Sequence, residues 1–268
     1  MNSFATHILV FDSGVGGLSI VEHLRLALPG VAITYLADTL FFPYGMMQEQ
    51  ALVKRVVTLL GQAHERYNPD LIVVACNTAS TLVLPTLRET LTIPIVGVVP
   101  AIKPAAQLST SKVIGLLATP GTIRRDYTDE LIADFAPECE VIRVGSSQLV
   151  QVAEEALRGC HHDPDVFRTA LAPFFEHRRS GELDTIVLAC THFPLVKEQL
   201  AMAAPGISHW VDSGAAIARR VRQLLPTLAG TGRRQSGDQV LLTGDYSDES
   251  APGEKFVRFG FQSVSQFT

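Results

Sequence analysis

The chain has 268 residues, 47% of them apolar, and a formal net charge of −5. That is enough for one large or two small domains with sizeable cores, and far from a disordered composition. The acidic balance argues against nucleic acid or an anionic membrane surface as the main partner.

The first residues, Met1 to His7, show no basic region followed by an apolar run, so no signal peptide is expected. No apolar stretch approaches the ~20 residues that a membrane span requires. The four cysteines, Cys76, Cys139, Cys160 and Cys190, form no C-x-x-C pair, which weakens both a zinc and a redox-motif reading. A cytoplasmic protein with reduced thiols is expected.

His7 to Phe11 reads as the first strand and Leu18 to Leu28 as a helix. Between them lies the glycine turn Asp12-Ser13-Gly14-Val15-Gly16-Gly17. The unit partly mimics the dinucleotide fingerprint G-x-G-x-x-G/A. Gly14 and Gly16 fit, but the last position is Ser19. Asp38, closing the strand Ala32 to Ala37, even lies near where a ribose-binding acid belongs. One imperfect match is weak evidence for NAD.

Phe41-Phe42-Pro43-Tyr44-Gly45 carries turn chemistry. Gln50 to Tyr67 has helical apolar spacing. Leu71 to Ala75 is an unbroken apolar run, as in a strand covered on both faces, and it stops at Cys76. Asn77, Thr78 and Ser80 follow, then helical spacing from Thr81 to Leu91. Ile93 to Val99 is the next strand, and Pro100 marks a crossing to a second series.

In that series Ala101 to Leu108 is helical and Lys112 to Ala118 a strand. Thr119 to Thr122 is a turn, Ile123 to Phe135 a helix and Glu140 to Val144 a strand. Helices are expected over Leu149 to Leu157 and Val166 to His177. The sequence from Asp184 to Ala189 is then a second apolar strand ending in Ala-Cys, at Cys190. Asp212-Ser213-Gly214 repeats the phrase of residues 12 to 14, ahead of a helix over Ala215 to Leu225. A loose polar loop is expected over Leu228 to Asp238 and a late strand near Val240 to Asp245.

Strands alternate with helices throughout, so the class is α/β with parallel sheets. The doubled Ala-Cys and Asp-Ser-Gly phrases hint at two related halves. In such sheets ligands sit beyond the carboxyl ends of strands, where both Cys76 and Cys190 are expected. A thiol near a helix N-terminus or a basic neighbour is readily ionised, and then serves as nucleophile or proton-transfer base. Two thiols in mirrored settings point to a symmetric reaction: a proton leaves one face of a carbon and returns to the other. The plainer alternative, a buried core thiol, is preferred for Cys139 and Cys160. Asp12 and His192 could each hold or tune a thiol by a hydrogen bond, though Asp12 equally suits a turn or helix cap and His192 a satisfied interior position. Ser13, Asn77, Thr78 and Thr191 are neutral donors suited to carboxylates, though each is also a plausible helix cap.

Six ordered motifs resemble those of bacterial glutamate racemases. They are Phe-Asp12-Ser-Gly-Val-Gly-Gly-Leu-Ser, Pro43-Tyr-Gly, Ala-Cys76-Asn-Thr-Ala-Ser, Gly97-Val-Val-Pro-Ala-Ile-Lys-Pro-Ala, Gly115-Leu-Leu-Ala-Thr-Pro-Gly-Thr and Cys190-Thr-His-Phe-Pro. Thr243-Gly-Asp is a weaker echo. The resemblance implies two similar α/β domains, each a mostly parallel sheet flanked by helices, with the active site in the cleft between them. The first domain would comprise residues 1–99 and 212–268, the second 100–211.

It also implies interconversion of L- and D-glutamate for peptidoglycan synthesis, with no cofactor and no metal. Cys76 and Cys190 would be the two bases, assisted by Asp12 and His192. Ser13, Tyr44, Gly45, Asn77, Thr78 and Thr191 would bind substrate, with Asp12 and His192 beside them. Glu154 roughly fits a family acid near the second thiol. A homodimer is expected, with no nucleic-acid or membrane partner. Met46-Met47 departs from the family pattern, which has a lysine close by. The segment before the first strand is short, so an activator site built from a long N-terminal extension is not expected. An aspartate racemase would share both cysteines, and a catalytically idle binder of a DNA-handling enzyme would share the fold. Turnover assays separate the three.

Overall fold

The computed structural model describes residues 6–225, 238–244 and 252–268. Of the loop expected over Leu228 to Asp238, residues 228–237 lie outside the described residues, as does Asp245 at the end of the late strand. The chain divides into two compact units. One comprises Met1–Val98 and Gly214–Thr268, the other Val99–Ser213.

Among the described residues the first unit holds a six-stranded parallel sheet. Its strands are β1 (His7–Asp12), β2 (Ala32–Ala37), β3 (Leu71–Val74), β4 (Ile95–Gly97), β9 (Gln239–Leu242) and β10 (Ser263–Gln266), in the order β10-β9-β2-β1-β3-β4. β2 and β3 are buried along their whole length, and β1 from Ile8 onward. That is why their sequences run apolar without alternation. Helices α1 (Leu18–Ala27), α2 (Glu49–Tyr67), α3 (Asn77–Thr90) and α10 (Gly214–Leu224) flank the sheet. α2 turns Leu52, Val56, Leu59, Leu60 and Ala63 inward. Full burial of a side chain such as Leu60 stabilises by roughly 1.5–3 kcal/mol.

The second unit holds four parallel strands among its described residues: β5 (Val113–Ala118), β6 (Glu140–Gly145), β7 (Thr185–Ala189) and β8 (His209–Val211), in the order β6-β5-β7-β8. Around them run α4 (Ile102–Leu108), α5 (Pro120–Ile123), α6 (Asp126–Phe135), α7 (Gln148–Leu157), α8 (Asp165–Phe175) and α9 (Lys197–Ala203). The order β2-β1-β3-β4 in the first unit is thus repeated as β6-β5-β7-β8 in the second. Each sheet has a switch point where the chain has gone one way from its first strand and returns on the other side. It lies between β1 and β3 in one unit and between β5 and β7 in the other. Ligands of doubly wound sheets bind beyond the strand ends at such points.

The structure corrects several expectations. α3 starts at Asn77, four residues earlier than expected, because Cys76 is extended at the N-cap position and its carbonyl accepts the Ser80 N–H at 2.9 Å. Small polar residues favour that first turn because their side chains compete for backbone groups. The helix expected over residues 123–135 is two helices, α5 and α6. Thr119 caps the first through its hydroxyl, which accepts the Thr122 N–H, and Arg125 is extended between them. A short turn over Phe193–Val196 and α9 were not anticipated; nor were α11 (Pro252–Val257) and β10. β10 is an edge strand whose Ser-Val-Ser-Gln carries no apolar pattern. Cys160 is exposed and Cys139 half-buried, so neither is the core thiol expected.

Candidate active site

The first candidate site is built at the β1/β3 switch point. β1 and β3 are neighbours in register, Phe11 beside Val74, and the Ala75 N–H donates to the Phe11 carbonyl at 2.7 Å. The two chains leave the sheet side by side, one into Asp12-Ser13, the other into Cys76. The glycine turn after Asp12 is drawn tight against them. Tyr35 donates from its hydroxyl to the Gly14 carbonyl at 2.6 Å. A Cβ on Gly17 would lie 3.0 Å from each of Ala75 Cβ, Asp12 Cβ and the Tyr35 hydroxyl, so any larger residue there would have to push these neighbours back.

Asp12 is fully buried. Its Oδ1 accepts the Ser13 N–H at 2.6 Å and the Ser13 hydroxyl at 3.3 Å. The Cys76 thiol, 5% exposed, donates to the Ser13 hydroxyl at 3.8 Å. Asp12, Ser13 and Cys76 therefore form one chain of contacts. Asn77 and Thr78 sit buried in the first turn of α3, whose leading N–H groups have no partner within the helix. The Asn77 side-chain oxygen is buried without a hydrogen-bond partner among the described residues. A buried acceptor left in that state is costly unless something else fills it. Tyr44 is buried and packs in the same apolar cluster as Cys76.

The second candidate site is built at the β5/β7 switch point. Ala118 and Ala189 are register partners, so Thr119 and Cys190 leave adjacent strands together. Cys190 is 7% exposed, and its sulfur lies 3.8 Å from His192 Nδ1. His192 Nε2 lies 2.8 Å from Glu154 Oε2, on α7. Arg158, one turn on, approaches the other Glu154 oxygen at 3.6 Å. Cys190, His192 and Glu154 thus form a line of three buried groups. Burial opposes a charged imidazole, but hydrogen bonds to Cys190 and Glu154, with their negative charges, outweigh it. They hold the His192 pKa well above its ordinary value. When protonated, the His192 ring can donate to the Cys190 sulfur. Thr191 is buried beside it.

In the first unit, then, Cys76, Asp12, Ser13, Asn77, Thr78, Tyr44 and Gly45 belong to a single sheet end. In the second, Cys190, Thr191, His192 and Glu154 belong to the corresponding end. The dinucleotide reading fails on Asp38. Both of its carboxylate oxygens are engaged by Tyr44, Arg55 and Thr243, leaving none for a ribose. Sequence reasoning missed this cluster because its members lie far apart in the chain. The one available signal was an acid at a strand end just ahead of Pro-Tyr-Gly. Among the described residues no group of three or more His, Cys, Asp or Glu side chains could hold a metal ion, and no helix is long and apolar enough to cross a membrane.

Residues 18–221 match the family model described as Asp/Glu/Hydantoin racemase. The glutamate racemase of Escherichia coli is 50% identical over 259 residues, which cover 97% of this chain and 90% of that one. The glutamate racemase of Vibrio cholerae is 45% identical over 260 residues, 97% and 96% of the two chains. Among solved structures, Escherichia coli glutamate racemase in complex with L-glutamate and the activator UDP-MurNAc-Ala matches with a TM-score of 0.91. The identity there is 43%, over 98% of each chain.

Proposed function

The chain belongs to the Asp/Glu/Hydantoin racemase family, and from that premise we propose that it interconverts L- and D-glutamate without a cofactor, using Cys76 and Cys190 as its two bases. The observation that carries this reading is the repeated construction. Each unit ends an apolar central strand in Ala-Cys at its switch point and gives the thiol its own polar partner, Ser13 with Asp12 in one case and His192 with Glu154 in the other.

The steps follow from that construction. One thiolate removes the α-proton of glutamate and becomes a thiol. The electron pair spreads into the α-carboxylate, where N–H groups at a helix start such as that of α3 stabilise the developing charge. The other thiol gives its proton to the opposite face and becomes a thiolate. The enzyme therefore rests with one thiolate and one thiol. From a reference pKa of about 8.5, ionising a thiol at pH 7 costs about 2 kcal/mol. On one side the His192 ring stands within reach of the Cys190 sulfur, where it can pass or hold a proton. On the other side the Ser13 hydroxyl, itself donating to Asp12, accepts the Cys76 S–H and so holds that thiol in place. The buried Asn77 oxygen suits the substrate ammonium. The Tyr44 hydroxyl already donates to Asp38 at 2.5 Å, so Tyr44 and Gly45 meet substrate through their backbone. D-glutamate made this way in the cytoplasm would supply peptidoglycan synthesis, and the working unit would be a homodimer.

Circular-dichroism assays on L- and D-glutamate test this reading, with both aspartate enantiomers as controls. Turnover is expected with glutamate, in either direction. It should persist after dialysis against EDTA, in protein with no pyridoxal-type absorbance. Turnover of aspartate alone, or of neither amino acid, contradicts the proposal.

A further inference from the structure

Asp38 follows β2 and is fully buried, where a carboxylate stands only if it is paired. Its partners come from three distant places in the chain. Tyr44 donates to Oδ2 at 2.5 Å. Arg55, on α2, forks across both oxygens at 2.9 and 2.7 Å. Thr243, just past β9, donates to Oδ1 at 2.6 Å. The Arg55 hydrogen bond is among the contacts that outweigh burial and hold Asp38 below the usual carboxylate range.

The same groups also grip the segment that begins at Thr39. The Leu40 N–H donates to the Thr243 hydroxyl at 3.2 Å, and the Gly244 N–H to the Thr39 hydroxyl at 2.9 Å. A Cβ on Gly244 would come within 2.8 Å of that Thr39 oxygen. The Arg55 guanidinium lies over the Phe41 ring, 4.5 Å from its centroid. The segment is therefore held at its start by Thr243, Gly244 and Arg55, and at Tyr44 by Asp38. Tyr44 in turn packs against Phe11 and shares a cluster with Cys76. A strand end can be closed more cheaply than by burying an ion pair, and such a pair is weak evidence for stability. What it supplies is one fixed arrangement of hydrogen-bonded groups.

We infer that Asp38, Arg55 and Thr243 are positioning residues that fix the Tyr44-Gly45 backbone beside Cys76 for substrate binding. This rests on the reading of residues 44 and 45 as substrate-binding. It gives a role to Thr243-Gly244, which returns from the far end of the chain, and to Asp38, which the dinucleotide reading had misassigned.

The test is steady-state kinetics on Thr243→Val, Thr243→Ser, Arg55→Lys and Tyr44→Phe. Thr243→Val keeps the shape but loses both hydroxyl contacts. With the segment that meets substrate released, KM for each glutamate enantiomer should rise, by about tenfold where the whole of the lost bond is passed on to binding, with kcat changing less. Thr243→Ser restores the hydroxyl and should restore KM. Arg55→Lys keeps the charge but not the fork, so its KM should rise. Tyr44→Phe combined with Thr243→Val should raise KM by less than the product of the two single effects, because both act through Asp38. A merely structural role would lower the melting temperature of the variants while leaving KM unchanged. Wild-type KM in folded Thr243→Val and Arg55→Lys, with wild-type enzyme active on glutamate, overturns the inference alone. Inactive wild-type enzyme overturns the functional reading as well.

Discussion

Replacing Cys76 or Cys190 with alanine should abolish racemisation while leaving the fold intact. Each thiol is expected to act once per turnover, as base in one direction and as acid in the other. Removing either interrupts the proton path in both directions. General acid–base groups contribute typically 10²–10⁴-fold, and here a single change removes one outright, so a loss of at least about 10⁴ is expected. The far-ultraviolet circular-dichroism spectrum should stay that of the wild type, since both side chains are small and sit at strand ends, not mid-sheet. The other two cysteines are internal controls. Cys160 is exposed and Cys139 half-buried, so their alanine variants should lose no more than about 1 kcal/mol of stability and keep most activity. Near-normal turnover in either Cys76→Ala or Cys190→Ala would remove the basis of the mechanism.

The second large effect belongs to His192. Its ring stands between Cys190 and Glu154 and touches both. His192→Asn removes the ring that stands beside Cys190, and on the two-base reading kcat/KM should fall by roughly 10²–10⁴. The fall must be the same for both substrates. L- and D-glutamate have equal free energies in water, so the two kcat/KM values stay equal whatever the variant. Glu154→Gln is a milder change. It keeps an acceptor for Nε2 but removes one of the charges that hold the ring protonated, so the His192 pKa, followed by NMR of the imidazole, should move down toward its ordinary value. Activity of His192→Asn within threefold of wild type would mean that the histidine only fills the interior.

Much of this was legible from the chain. The central strands β3, β5 and β7 announce themselves as apolar runs, β7 after its opening Thr185, because both their faces are buried. Cys76 and Cys190 stand out because each ends such a run and is followed by small polar residues. The boundary of α3 was less legible. Asn77, Thr78 and Ser80 favour caps and turns over helix interiors, so the pattern shows the helix only from Thr81, after its first turn has formed. β10 lies at a sheet edge, where exposed Ser263 and Ser265 carry no periodic signal. The partnership of Asp38 with Arg55 and Thr243 was invisible for another reason. Sequence periodicity reports which face of an element is buried, whereas this cluster depends on the order in which strands lie in the sheet. β9 comes next to β2 only after the chain has returned from the second unit.

Isotope incorporation tests the two-base account most directly. L-glutamate is converted in deuterated water, and product and recovered substrate are analysed early in the reaction. Two bases on opposite faces predict D-glutamate carrying deuterium at the α-carbon, because the receiving thiol has already exchanged its proton with solvent. The L-glutamate still unconverted should carry little deuterium, since the thiol that took its proton would have to return solvent hydrogen to the same face. Starting from D-glutamate, the pattern should invert. Heavy early labelling of recovered substrate in both directions, or product that keeps the substrate's own hydrogen, would contradict a division of work between Cys76 and Cys190.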